Sequence, residues 1–279
     1  MRNRATIHLP LASLILLFVT STAAGQTLVP LTVDGNRAEA VLELPGGLQI
    51  DLAIAFENAV GLNATALEVS ASLASPLDAG LIARLPSPTT LIPAALPVLI
   101  RIEPSASSAL SFSGVVTIGL HTHNLSLDLA APWVLLSASN GGAFRDITSR
   151  VAVGSYRVDG SGGGFSEFLI ARDPRSLDTI IAEKFVRVEA LLSAHEGAIP
   201  SAVLAALREH LAQARSLASS GLAQHAIAEV AAFADLVKAQ GGAIPDVWRA
   251  HDARVNVAGL LRSAAQTLQF SLTLQANGR

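Results

Sequence analysis

Apolar residues recur at every second position through the first half of this chain and at every third or fourth position through the second. The change falls in one stretch, Gly162-Gly163-Gly164-Phe165-Ser166-Glu167-Phe168-Leu169-Ile170-Ala171-Arg172-Asp173-Pro174. A chain of period two pleats into strands, and one of period about 3.6 coils into helices. Three consecutive glycines lose too much backbone freedom to sit inside either, so Gly162 to Gly164 is predicted as a loop. Phe165 to Ala171 then reads as a closing strand. Asp173 offers a capping carboxylate and Pro174 fits a first helical position, so a helix is expected to open there. The expected fold class is α+β, an antiparallel β-sandwich followed by a small helical bundle.

Within the first half, alternation is strict at Leu48, Ile50, Leu52, Ile54 and Phe56, and recurs at Leu67 to Leu73 and Val98 to Glu103. Leu28 to Val33, Ala38 to Leu44, Ser111 to Leu120, Leu125 to Ala130, Trp133 to Ser137 and Val151 to Val158 are further expected strands. Many short strands broken by Gly, Pro and Asn indicate an antiparallel sandwich. Pro76 to Pro97 lacks sustained alternation and reads as a long crossover with one helical turn at Asp78 to Leu85. The parity slips after Leu120, so a turn or bulge is expected at His121-Thr122-His123-Asn124.

In the second half, four helical faces are expected. They run from Leu177 to Leu192, Val203 to Leu217, Ala226 to Val237, and from Asp246 through Val255 to Ala265. Gly197-Ala198-Ile199-Pro200-Ser201 and Gly242-Ala243-Ile244-Pro245-Asp246 share the chemistry of a helix start. At the end, Leu268, Phe270, Leu272 and Leu274 alternate with polar residues, which predicts an edge strand returning to the sandwich. The expected organisation is residues 1–25 as a signal peptide, 26–173 as the sandwich, 174–266 as the bundle, and 267–279 as a C-terminal strand and tail.

Arg2 and Arg4, the apolar run Leu9 to Thr20 and the small residues that follow read as a cleaved export signal. The run falls short of the ~20 residues a membrane-spanning helix needs, and no later run is long and unbroken enough to span. Export makes the expected location secreted or periplasmic. The chain has no cysteine, which rules out disulfides, thiolate metal sites and a thiol nucleophile. Cleavage after Gly25 would leave 17 basic and 22 acidic side chains. That balance matches neither nucleic acid nor an anionic membrane.

Mechanism-bearing motifs are missing: there is no Gly-x-Ser-x-Gly, His-Glu-x-x-His, phosphate-binding glycine loop or calcium loop. No catalytic or cofactor-binding residue is therefore assigned. His121 and His123 form the only His-x-His, a spacing that puts both rings on one strand face and could chelate zinc or copper. His225 and Glu229 fall one helical turn apart. Trp133 is expected in the core, and Trp248 is the aromatic expected to be exposed.

Trp133, Gly141 to Thr148, the strand at Val151 to Val158 and Gly164-Phe165-Ser166-Glu167-Phe168 resemble the closing strands of bacterial immunoglobulin-like sandwiches. Ala214, Leu217, Gly221, Ala226 to Val230, Phe233 and Gly242 to Pro245 resemble FIMAH-type helical modules, which implies an accessory role. With Val255 to Arg262 and Leu268 to Leu272, the whole chain resembles an uncharacterised family of secreted proteobacterial proteins. The expectation is an exported, non-catalytic interaction or structural protein whose partner is a protein or envelope component. The alternative is a metal or small-ligand binder using His121 and His123.

Overall fold

The computed structural model describes residues 29–126, 132–139, 141–152 and 155–278. The expected signal peptide, and residues 127–130 of an expected strand, lie outside these. The fold is a mixture of α and β, with two antiparallel sheets and five α-helices among the described residues.

The first sheet takes β1 (Thr32–Asp34), β2 (Arg37–Leu44), β3 (Leu48–Val60), β6 (Ser111–Ser126), β10 (Ser155–Gly162) and β9 (Thr148–Ala152) in that spatial order. The second takes β4 (Leu67–Leu73), β5 (Val98–Pro104), β11 (Glu167–Arg172), β7 (Trp133–Ala138) and β8 (Arg145–Asp146). Neither sheet closes into a barrel. Even-numbered residues such as Ile50, Leu52, Ile54, Ile118 and Leu120 of the first sheet meet Ile100, Ile102, Phe168 and Ile170 of the second in one buried core. The alternation read from the sequence is thus the inward face of two facing sheets.

The second sheet is buried on its outward face too. The crossover between β4 and β5 carries α1 (Ala79–Ile82), capped by Asp78, and lays Leu81 and Ile92 over Val134, Leu136, Leu169 and Ala171. Arg84 fastens this cover by donating to the Gly142 carbonyl and pairing with buried Glu167, which also holds Arg101 at 2.8 Å. Burial alone would raise the Glu167 carboxyl, but the two guanidiniums outweigh it and hold it below its usual value.

The helical part comprises α2 (Leu177–Ala194), α3 (Ser201–Ser219), α4 (Ala223–Ala239) and α5 (Val257–Ala276), packed around Phe185, Leu207, Leu211, Phe233 and Leu268. Between α4 and α5 the chain returns to the first sheet: β12 (Val247–Arg249) pairs antiparallel with Ser111 to Ser113 of β6. Trp248 there stacks on Phe112 at 5.2 Å and meets Phe165 edge-on. Helix α5 then docks against β6, β9 and β10. Asn256 caps it, with Oδ1 accepting from Gly259 N at 2.7 Å, while its Nδ2 donates to the Gly114 carbonyl of β6 at 2.7 Å. A side chain on Gly259 would meet that carbonyl at 2.3 Å, and one on Gly163 would meet the Leu260 amide at 2.8 Å. The contact requires backbone against backbone.

Several expectations are corrected. Residues 267–279 do not form a strand, because α5 runs to Ala276. Leu261, Ala264, Ala265, Leu268 and Leu272 continue a helical face, and Ser271 of the alternation is buried in it together with Thr267. Thr267 turns its hydroxyl onto the Ala264 carbonyl, and Ser271 accepts from Lys184. The helix expected from Asp246 starts only at Val257, since Trp248 is drawn into the Phe112–Phe165 cluster, which also makes it partly buried rather than exposed. Asp173 does not cap α2. It is fully buried and held by Arg175 at 2.6 Å, and Ser176 caps instead. The strand expected over Val151 to Val158 is two antiparallel strands, β9 and β10, with Ala152 opposite Arg157. The strand expected at Ser111 to Leu120 continues without a break through Leu125 and Ser126, the start of the next expected segment, as one strand, β6.

Replacing Asn256 with Ala removes both the α5 cap and the side-chain donor to the buried Gly114 carbonyl of β6. The loss should be roughly 2–3 kcal/mol, read as a lower midpoint in chemical denaturation. Asn256→Asp keeps the cap but not the donor and should recover only part of it.

Candidate functional site

With the second sheet covered and α5 docked near the Gly114 and Gly163 ends of the first, the outward face of the first sheet is the broad strand surface left open. Register fixes what stands on it. One row across the strands reads Glu39, Ala53, Gly119, Asp159, Arg150, and the next reads Val41, Asp51, His121, Arg157, Ala152. A third reads Arg37, Ala55, Thr117. Small residues therefore hold the middle of the first and third rows with charge at their flanks, while the second row carries Asp51 and His121 at its centre. The result is a groove of about 940 Å³ with Ala53, Ala55, Thr117 and Gly119 as its floor.

Gly119 is a condition of this shape. A side chain there would come within 2.9 Å of Asp159 Oδ1. Because the floor is so thin, the Asp159 carboxylate sinks into the sheet, and loss of water raises its pKa above the ordinary value. Arg150, Arg37 and Arg157 oppose this without cancelling it. Arg150 approaches Asp159 at 3.7 Å, and Arg37 is paired with Glu39 at 2.5 Å. The face carries both signs of charge in adjacent rows.

His121 and His123 project from this same face, as their spacing predicts, with ring centroids 4.7 Å apart. His121 Nδ1 lies 3.0 Å from Asp51 Oδ2, and His123 is exposed. The irregularity expected at 121–124 is a bulge rather than a turn: Tyr156 faces Thr122, yet Ser155 faces Ser126. Asn124 uses the slack to accept from Gln49 N and donate to the Gly47 carbonyl, tying β6 to the β2–β3 turn. Among the described residues no group of three or more His, Asp or Glu stands where a metal ion could be held. The Asp51–His121 pair has the form of an oriented base. The hydroxyl on the same face of the strand, Thr117, is four residues away, roughly 13 Å along it, well beyond hydrogen-bond reach.

Of the helix histidines, His225 is exposed and does not engage Glu229. Glu229 instead meets His210 Nδ1 at 2.8 Å, across from α4 to α3. His251 reaches the Ser105 carbonyl at 2.9 Å and serves the β12 junction. Spacing within one helix cannot reveal a partner on the next. Sequence reading also missed the groove itself. Its only trace was the run of small odd-numbered residues, Ala53, Ala55, Thr117 and Gly119, on strands whose even-numbered residues are large.

A protein-family model matches residues 13–276, that of a family of unknown function. No curated protein and no solved structure matches the chain.

A raised carboxyl makes the native state bind its proton more tightly than the unfolded chain does. The Asp159 contribution is therefore most favourable in acid and declines as pH rises from the ordinary carboxylate range through the raised value. Asp159→Asn should accordingly raise the thermal midpoint at neutral pH, and the gain should shrink toward zero as pH is lowered. An equal gain at every pH would assign the effect to packing.

Proposed function

We propose, for a chain that belongs to the DUF6689 family of unknown function, that it is an exported, non-catalytic binding protein of the bacterial envelope or exterior. The reading rests on the open groove of the first sheet, with its floor of small side chains and its flanks of both charge signs. The two facing sheets are read as an immunoglobulin-like unit and the helices as an accessory module that braces it. The leader-like residues 1–25 support export.

The occupant that fits is a polar segment of another protein. Glycan would call for aromatic faces on which sugar rings stack, and this floor carries alanine, threonine and glycine. An aliphatic partner would leave Arg37, Glu39, Asp51, Arg157 and Asp159 to be desolvated without compensation. A segment carrying both charges can pair with successive rows, because each row presents a different sequence of signs.

A photo-crosslinking residue at Ala55, on the floor, should capture a reproducible envelope protein in cells of the native host. The same residue at Glu209, on α3, should not. Arg157→Glu should cut the Ala55 product tenfold or more by reversing one flank. Equal capture at both positions, or none at Ala55, would overturn the reading. Zinc or copper that stays with the purified protein and is lost from the His121→Ala/His123→Ala variant would move the assignment to the metal-binding alternative.

A further inference from the structure

A second cleft, separate from the groove, opens where the two sheets meet the helical part. Its volume is about 310 Å³, and its walls come from β7, β8, β10, the Gly162 to Gly164 loop, α2 and the approach to α5. Besides Arg254, which is paired with Asp252, two cations line it. Arg145 of β8 stands opposite Ser137 of β7 at the mouth between the sheets, and Arg187 reaches in from α2.

The charges around them are already committed. Asp146 is taken by Lys184 at 2.6 Å, and Lys184 is fixed besides by the Thr267 carbonyl and the Ser271 hydroxyl. Asp252 is held by Arg254 at 2.8 Å, and Glu167 by Arg84 and Arg101. Among the described residues, no carboxylate lies within ion-pairing distance of either Arg145 or Arg187. Loss of water, and then the neighbouring Arg145, push the Arg187 guanidinium down to about 10, the field of Asp146 offsetting them only in part. Loss of water lowers Arg145 as well. Arg145 is exposed at the mouth and Arg187 half-buried behind it, so two like charges stand together with no carboxylate at ion-pairing distance, an arrangement that opposes itself.

The rest of the lining suits an anionic ligand. Ser137 of β7 and Ser161 of β10 are among the lining residues, and Gly162 to Gly164 line it with backbone that carries no side chains. Guanidiniums in pairs, hydroxyls and peptide N–H groups are the donors that hold oxyanions. Arginine pairs bidentately with tetrahedral or planar oxygens, which lysine does not.

We propose that this cleft binds a small oxyanion of the phosphate type between Arg145 and Arg187, at the joint of the sheets and helices. An anion there bridges β8 to α2, so its binding also clamps the helical part onto the strands. The volume leaves room for a small organic group beside the anion, at the lower end of ligand pockets. This proposal does not depend on the groove of the first sheet.

The test uses the purified full-length chain in chloride buffer. Inorganic phosphate, at millimolar concentration, should give a saturable one-to-one heat in titration calorimetry and raise the thermal midpoint, and sulfate should compete with it. Arg145→Gln and Arg187→Gln should each weaken phosphate tenfold or more, a loss of roughly 1.4 kcal/mol. Arg208→Gln, on α3 and remote from the cleft, should leave it unchanged. In phosphate-free buffer Arg187→Gln should melt at or above the unaltered protein, because a repulsion has been removed. A phosphate monoester such as glycerol phosphate binding tenfold tighter than inorganic phosphate would identify an ester ligand, and equal binding would identify the free anion. The proposal fails if phosphate gives neither heat nor stabilisation, or if its binding ignores both arginine substitutions. It fails equally if Arg187→Gln lowers the midpoint while phosphate has no effect, which would make the guanidinium a structural companion of Asp146.

Discussion

Everything in this molecule hangs on a backbone contact between Gly114 of β6 and Gly259 of α5, with Asn256 wedged beside it. The amide of Asn256 is used twice, its oxygen on the helix's own N–H and its nitrogen on the strand's carbonyl. A helix start and a strand irregularity thus satisfy each other's leftover polar groups, which neither could do in isolation. Around that point Arg262 of α5 donates to Glu57 of β3 at 2.7 Å, and β12 lengthens the sheet. The last helix, the segment before it and the centre of the first sheet are therefore one joint, and the helical core is fastened through it.

The joint and the crossover together decide which surface is left for function. The crossover hides the second sheet, and the helices hide one end of the first. What remains is a sheet face anchored at its base, floored by residues too small to move and flanked by charges already placed by strand register. A site on a hydrogen-bonded sheet needs little ordering on binding, so less of the contact energy is lost to entropy. The same rigidity argues for recognition of a segment that is itself ordered.

Much of the fold was legible in period. Strand β4 falls at Leu67–Leu73 as the alternation indicates, and α3 and α4 fall between their glycine stops. Legibility ended where tertiary partners override a local pattern. Leu268 to Leu274 alternates, yet the pattern is carried on a helix in which Thr267 and Ser271 are buried, one bonded to a carbonyl of the helix and the other to Lys184. Asp173 has every local credential of a cap, but Arg175 claims it. The return of the helical part to the sheet was legible as a need, while the segment that meets it, Val247–Arg249, is too short to show a period. The histidines could be placed on one face from spacing, but the register that sets Asp51 beside His121 could not.

Electrostatics separates the two surfaces more sharply than shape does. Nearly every charge drawn into this structure has been given a counterpart: Glu167 two arginines, Asp173 Arg175, Lys184 Asp146, and Glu57 Arg262 with Lys238. A buried pair of this kind adds little net stability but is costly to break, so it fixes geometry. Against that pattern Arg145 and Arg187 are an exception located at the joint where strands and helices meet. A fold that pairs its sunken charges, yet leaves half-buried Arg187 and exposed Arg145 beside it with no carboxylate at ion-pairing distance, has the form of one completed by an anion. The groove, by contrast, sets charges of both signs beside one another along an open face, which is the condition for exchanging partners rather than retaining one.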